Sequence, residues 1–179
     1  MDLLYNVIVK LYTIGHSTRP IDAFVKILKP YEIEILVDIR TIPKSRHNPQ
    51  FEENNLENSL IESGIGYIYM KDLGGLRNPA KDSKNLEWRN TSFRGFADYM
   101  GTDEFENAIN KLKDIAGSHK TVIMCAEALP WRCHRNLIAD ALVVQKWKVV
   151  HLMTDKISNE HRLTEFLKVA SGKCTYPKK

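Results

Sequence analysis

The chain has 179 residues, 43% of them hydrophobic and 27% charged, which suits one globular domain with a sizeable core. Twenty-six Lys and Arg against 22 Asp and Glu give a net charge of +4, a mildly basic balance that permits an anionic partner without demanding one. No apolar run approaches the roughly 18 residues of a membrane helix, the three cysteines are too few and odd for a disulfide framework, and Met1–Asn6 lacks the features of a signal peptide, so no membrane partner and a cytoplasmic location are expected.

Asn6–Ile14 and Ile33–Ile39 are nearly continuous runs rich in Val and Ile, the pattern of strands covered on both faces. Between them Ile21, Phe24, Val25 and Leu28 recur at helical spacing, with Thr18 placed to cap and Pro20 suited to the first turn. Strand, helix, strand implies a parallel pair with a right-handed crossover. A helix over Asn55–Ser63, a short strand over Gly66–Met70 and a long polar loop over Lys71–Thr91 follow. Phe105, Ala108, Ile109 and Leu112 predict a helix entered through Thr102. Lys120–Cys125 reads as a strand, Pro130–Gln145 as a helix, Trp147–Met153 as a strand and Ser158–Val169 as a closing helix. Three lysines in Lys173–Lys179 suggest a frayed, solvated end. The alternation predicts a single three-layer α/β domain over residues 1–179, a mostly parallel open sheet flanked by helices.

Ligands of such sheets bind beyond the carboxyl ends of the strands. There the sequence places Gly15-His16-Ser17, then Asp38, Arg40, Lys44, Arg46 and His47, then Lys71 and Gly74-Gly75, then Cys125 and Glu127, and finally His151. The opposite edge collects ordinary turn residues. Pro130 can open a helix just after Cys125, and free N–H groups at a helix start attract anions and lower a nearby thiol's pKa. Arg132 and Arg135 add positive charge.

Structural readings stand beside the chemical ones. Cys125 can be a core filler, and Asp38 can be half of a buried ion pair with Arg40 or Arg46. Gly74-Gly75 can be only a turn. Cys125, Cys133, His134 and His16 are zinc-type ligands, but neighbours such as Cys133 and His134 diverge by about 100° on a helix, so no metal is expected. A Cys125–Cys133 redox pair has no sequence signature to raise it. Lys44, Arg46, His47, Lys71, Arg77, Arg89 and Arg94, with Trp88 and Phe93 interleaved, would suit nucleic-acid binding, or a solvated loop with scattered charge.

Several ordered motifs carry a family resemblance: Thr13-Ile14-Gly15-His16-Ser17; Val37-Asp38-Ile39-Arg40 with Pro43, Ser45 and Arg46; Leu73-Gly74-Gly75; Arg94-Gly95-Phe96-Ala97-Asp98-Tyr99-Met100; and Cys125-Ala126-Glu127 with Pro130 and Cys133-His134-Arg135. Together they resemble the domain-of-unknown-function 488 family over about Leu11–His151. The family-like core then spans about residues 11–152, with a C-terminal helix and tail over 153–179. The resemblance implies a compact α/β fold. It also implies that His16, Asp38, Arg40, Arg46, Cys125, Glu127, Cys133, His134 and Arg135 act as one constellation.

The expected function is a small enzyme acting on an anionic, phosphate-bearing substrate, nucleotide-like or nucleic-acid-like. Cys125, Glu127, His16 and Asp38 are the expected catalytic residues. Arg40, Arg46, Cys133, His134, Arg135 and Arg94 are expected to bind substrate. The alternative is a non-catalytic nucleic-acid-binding module. The sequence singles out no cofactor and leaves the oligomeric state open.

Overall fold

A computed structural model of the protein describes residues 9–178. Five strands, β1 (Lys10–Gly15), β2 (Ile35–Asp38), β3 (Gly66–Tyr69), β4 (Thr121–Cys125) and β5 (Lys148–Leu152), run parallel. A short antiparallel strand, β6 (Ser158–Glu160), completes one sheet in the order β3-β2-β4-β1-β5-β6. The first two strands of the sequence are therefore parallel but not neighbours, because β4 lies between them. Asn6–Ile8 of the expected first strand lie outside the described residues.

Side chains alternate across the sheet, as the two-residue period of a strand dictates. Val122 and Met124 face one layer and Ile123 the other. The first layer is α1 (Ile21–Leu28) and α2 (Glu53–Glu62), whose Phe24, Leu28, Leu56 and Leu60 are fully buried there. The second is α3 (Thr91–Tyr99), α4 (Asp103–Ser118) and α5 (Arg135–Val144), with Phe96, Phe105, Leu112, Leu137 and Leu142 at its core. This is the three-layer α/β architecture that the alternation predicts. None of the helices is long and apolar enough to cross a membrane among the described residues.

The helix starts follow local chemistry. Thr102 caps α4 by accepting from Phe105 N, as expected, and Asn90 caps α3 by accepting from Phe93 N. The α3 helix has no counterpart in the sequence reading, although Asn90 before Thr91–Phe93 is an N-terminal signal. Thr18 does not cap α1: the N-cap is Pro20, with no side-chain bond. Helix α5 starts at Arg135 and not at Pro130. Pro130–Arg132 forms a 3-10 turn, and Cys133 is extended at φ −137°, ψ 148°, which interrupts the expected helix.

The expected closing helix over Ser158–Val169 is absent. Its first residues pair with β5, and Leu163 and Val169 are about half exposed, so its apolar spacing never forms one buried stripe. The end is not frayed either: β7 (Lys168–Ala170) and β8 (Lys173–Thr175) form a hairpin, and Tyr176 is fully buried. Ser171 and Gly172, both at positive φ, make the two-residue turn that matches strand twist.

Asp140 on α5 is what holds this segment extended. Its buried carboxylate accepts from His161 Nε2, from Thr164 N and Oγ1, and from Tyr176 Oη, all at 2.7–2.9 Å. Behind it, His151 Nε2 donates to His161 Nδ1 at 2.9 Å, and Thr13 Oγ1 donates to His151 Nδ1 at 2.8 Å. Each nitrogen is satisfied when both imidazoles are neutral. Burial, with the neighbouring His161 and Arg135, pushes the His151 pKa down to about 3 from an ordinary 6.5. The unfolded chain binds the extra proton between those values, so unfolding free energy should fall as pH is lowered from 6.5 towards 3. Urea titrations over this range should give a shallower slope for His151→Gln; an unchanged slope would assign the acid sensitivity elsewhere.

Candidate functional site

The chain leaving β1 enters α1 on one face of the sheet, and the chain leaving β4 enters α5 on the other. The strands are adjacent, with Gly15 in register with Cys125. Adjacent parallel strands whose connections part to opposite faces leave a crevice at their carboxyl ends. A cleft of about 620 Å³ opens there, lined by His16, Arg40, Cys125, Glu127, Cys133 and His134 among others.

The two loops at the cleft are stitched together. His16 N donates to Cys125 O and Ser17 N to Ala126 O, both at 2.9 Å. The crossing is so close that a Cβ at residue 15 would lie 1.9 Å from Glu127 O, so only glycine fits. From below, the buried Arg135 donates from Nη2 to Glu127 O at 2.8 Å. Its Nε and Nη1 are buried with no hydrogen-bond partner among the described residues.

Asp38 is fully buried and grips Arg40 in a fork, Nε to Oδ1 at 2.9 Å and Nη2 to Oδ2 at 2.5 Å. Tyr67 Oη donates to the same carboxylate at 2.9 Å. Arg40 Nη1 reaches Phe51 O at 2.8 Å and His16 Nε2 at 3.4 Å. His16 Nδ1 lies 2.7 Å from Ser17 O, and a carbonyl can only accept, so Nδ1 carries the proton and Nε2 is left as an acceptor. Burial, aided by Arg40, lowers the His16 pKa against the opposing Ser17 bond. The imidazole is stacked on Phe51, with ring centroids 4.2 Å apart.

Three ligand atoms, Cys125 Sγ, Cys133 Sγ and a His134 ring nitrogen, lie within 4.8 Å of one another at the cleft floor. His134 Nε2 is 2.9 Å from Leu73 O, which fixes its proton there and turns a bare Nδ1 towards Cys133 Sγ at 3.7 Å. Hydrogen bonding from Cys133, with the charge of Arg135, holds the Cys125 thiol well below its usual range despite burial. Burial and the Cys125 sulfur push the Cys133 thiol up. Of the two sulfurs, Cys125 is the one whose surroundings favour the thiolate form. This differs from the expected cause, since the helix start that was to act on it lies at Arg135 and not at Pro130. The objection to a shared ion also falls: Cys133 is extended and precedes the helix, so it and His134 converge.

The model of the family described as "Domain of unknown function DUF488" matches residues 20–142. The chain belongs to this family. The DUF488 match takes in Asp38, Arg40, Cys125, Glu127, Cys133, His134 and Arg135, and begins after Gly15-His16-Ser17. Comparison with curated proteins and with solved structures gave no match.

Of the expected site residues, His16, Arg40, Cys125, Glu127, Cys133 and His134 meet at the cleft. Asp38 and Arg135 are buried behind it, Asp38 holding Arg40 and Arg135 holding the loop after β4. Arg46 is exposed and lines no part of the cleft, and Arg94 donates to Trp88 O instead. Lys44 and Arg132, which are not among the expected binding residues, are exposed cations on the cleft wall, joined there by Ser45, Ser92 and Phe93. Position alone distinguishes them: Lys44 follows β2 and Arg132 follows β4.

Breaking a buried ion pair from one side costs about 3–5 kcal/mol, whereas a lost neutral hydrogen bond costs about 1 kcal/mol. Asp38→Ala should therefore lower unfolding free energy by about 3–5 kcal/mol, against about 1 kcal/mol for Tyr67→Phe. Equilibrium denaturation checks both, and an Asp38→Ala protein as stable as the wild type would contradict Asp38 as the anchor of Arg40.

Proposed function

We propose that the protein is an enzyme acting on an anionic, phosphate-bearing small molecule in the cleft between the β1 and β4 ends. The observation that carries this reading is the placing of Cys125, its thiol held well below the usual range, in a cleft walled by Lys44 and Arg132. Neither cation joins an ion pair among the described residues. Both can turn to a phosphate, whose oxygens match charged donors. The cleft volume, about 620 Å³, falls within the range of small-molecule sites. Glu127 on the wall and the Nε2 of His16 are the groups placed to hold or move a proton. Cys125 forms the reactive floor.

The nucleic-acid alternative finds less support. Trp88 packs against Phe93, Phe166 and Tyr176, and so offers no free ring to a base. Arg77 lies over the Tyr99 ring and donates to Gly74 O and Asp72 O. Arg94 is held by Trp88 O.

A panel of nucleotides, sugar phosphates and inorganic phosphate, screened by calorimetry and then for turnover, tests the proposal. Removing Lys44 or Arg132 should weaken binding by about ten- to a hundredfold each, since a charged hydrogen bond contributes about 1.5–3 kcal/mol. Cys125→Ser should keep binding and lose turnover. Binding indifferent to both cations, or full turnover in the Cys125→Ser protein, would overturn the reading. Binding only to polynucleotides, with affinity falling steeply in salt, would favour the alternative.

A further inference from the structure

We propose that Cys125, Cys133 and His134 form a site for one thiophilic divalent ion, Zn²⁺ by chemistry, with an open coordination position facing the cleft. This deepens the reading above by naming a cofactor for the same cleft. It rests on that reading for what the ion would act on, and not for the site itself.

The donor set comes first. Two sulfurs and one imidazole nitrogen suit Zn²⁺, which takes thiolate and imidazole together in four-coordinate sites. Metal–ligand arms of about 2.0–2.3 Å place tetrahedral ligands about 3.5–3.8 Å apart. His134 Nδ1 and Cys133 Sγ already stand at 3.7 Å. All three ligand atoms lie within 4.8 Å of one another, so the widest gap has to close by about 1 Å to reach that spacing.

The surroundings aim these atoms. His134 donates from Nε2 to Leu73 O at 2.9 Å. Metal-bound histidines characteristically do this with their second nitrogen, because it fixes the tautomer and presents the other lone pair. Arg135 N lies 3.5 Å from Cys133 Sγ and donates to it, a contact that favours charge on sulfur. Gly75 stands against the imidazole, where a Cβ would lie 2.4 Å from His134 Nδ1. Any other residue there would block the nitrogen that the site needs. These arrangements come from two parts of the chain, residues 73–75 and 133–135, and all of them serve Nδ1 or the sulfurs.

Three protein ligands leave a fourth position. Cys125, Cys133 and His134 all line the cleft, so that position faces the space where substrate would sit. Structural zinc sites are closed by four protein ligands, whereas catalytic ones keep one place for water or substrate. An ion here would polarise a substrate oxygen or a bound water. Cys125 would then be a ligand, and the reactive floor of the cleft would be the ion it holds.

The test needs no substrate. Reduced, chelator-treated protein is titrated with Co²⁺, followed by visible and near-ultraviolet absorption, and the freshly purified protein is assayed for zinc by mass spectrometry. One equivalent of Co²⁺ should bind with tetrahedral bands and thiolate-to-metal charge transfer, displaceable by Zn²⁺. Cys125→Ser, Cys133→Ser and His134→Gln should each weaken binding by at least tenfold, while Cys174→Ser and Glu127→Gln should leave it unchanged. No Co²⁺ uptake by the folded wild type would overturn the site, as would uptake without thiolate bands or uptake unaffected by the three ligand variants. Any of these three failures would leave phosphate binding through Lys44 and Arg132 standing. Loss of that phosphate binding would leave the metal site standing.

Discussion

The whole arrangement depends on the chain leaving β4 being able to pass directly over the end of β1. Gly15 makes that possible by having no Cβ where Glu127 O must lie, and two backbone hydrogen bonds then lock residues 16–17 to residues 125–126. Arg135 holds the crossing from beneath through Glu127 O. Because of this crossing, the sulfur of Cys125 and the imidazole of His16 share one cleft instead of standing over separate strands. The sheet order contributes as much: β4 inserted between β1 and β2 puts the Cys125 end beside both His16 and Asp38.

Around that crossing the polar groups divide into those that build and those that face the cleft. Asp38 with Arg40 and Tyr67, and Asp140 with its two histidines, Thr164 and Tyr176, are buried networks with their bonds internally met. Networks of this kind fix geometry more surely than they add stability. Cys125, Glu127, Lys44 and Arg132 are the groups left turned towards the cleft. The contrast between rigid, satisfied charges behind the wall and free cations on it is what one expects of a preorganised binding site.

Much of this was legible in the sequence, for reasons that can be named. The strands of a covered parallel sheet are apolar runs, and residues just after such runs must lie at one edge, so His16, Cys125 and Glu127 could be grouped without coordinates. Asp38 inside an apolar run had to be paired, and its partner is Arg40. What the sequence hid depended on distant contacts. Ser158–Val169 has helical spacing, but Asp140, about twenty residues earlier in the chain, holds His161 and Thr164 in an extended segment. Cys133 and His134 diverge if the helix begins at Pro130; the extended Cys133 brings them together. Arg135 looked like a substrate clamp by its type and place, and is instead a buried support for the loop that carries Glu127.

The central claim is that Cys125 is a thiolate exposed to the cleft while the other two cysteines are not. The most direct measurement is the alkylation rate of reduced, metal-free protein by iodoacetamide as a function of pH, mapped by peptide mass spectrometry. Cys174, whose pKa burial pushes up to about 12, is the internal comparison along with Cys133. The account predicts that Cys125 reacts first, with an inflection well below the ordinary thiol value of about 8.5, and that Cys174 reacts only on unfolding. A Cys125 that resists alkylation until the protein unfolds, or that titrates at the ordinary value, would contradict it.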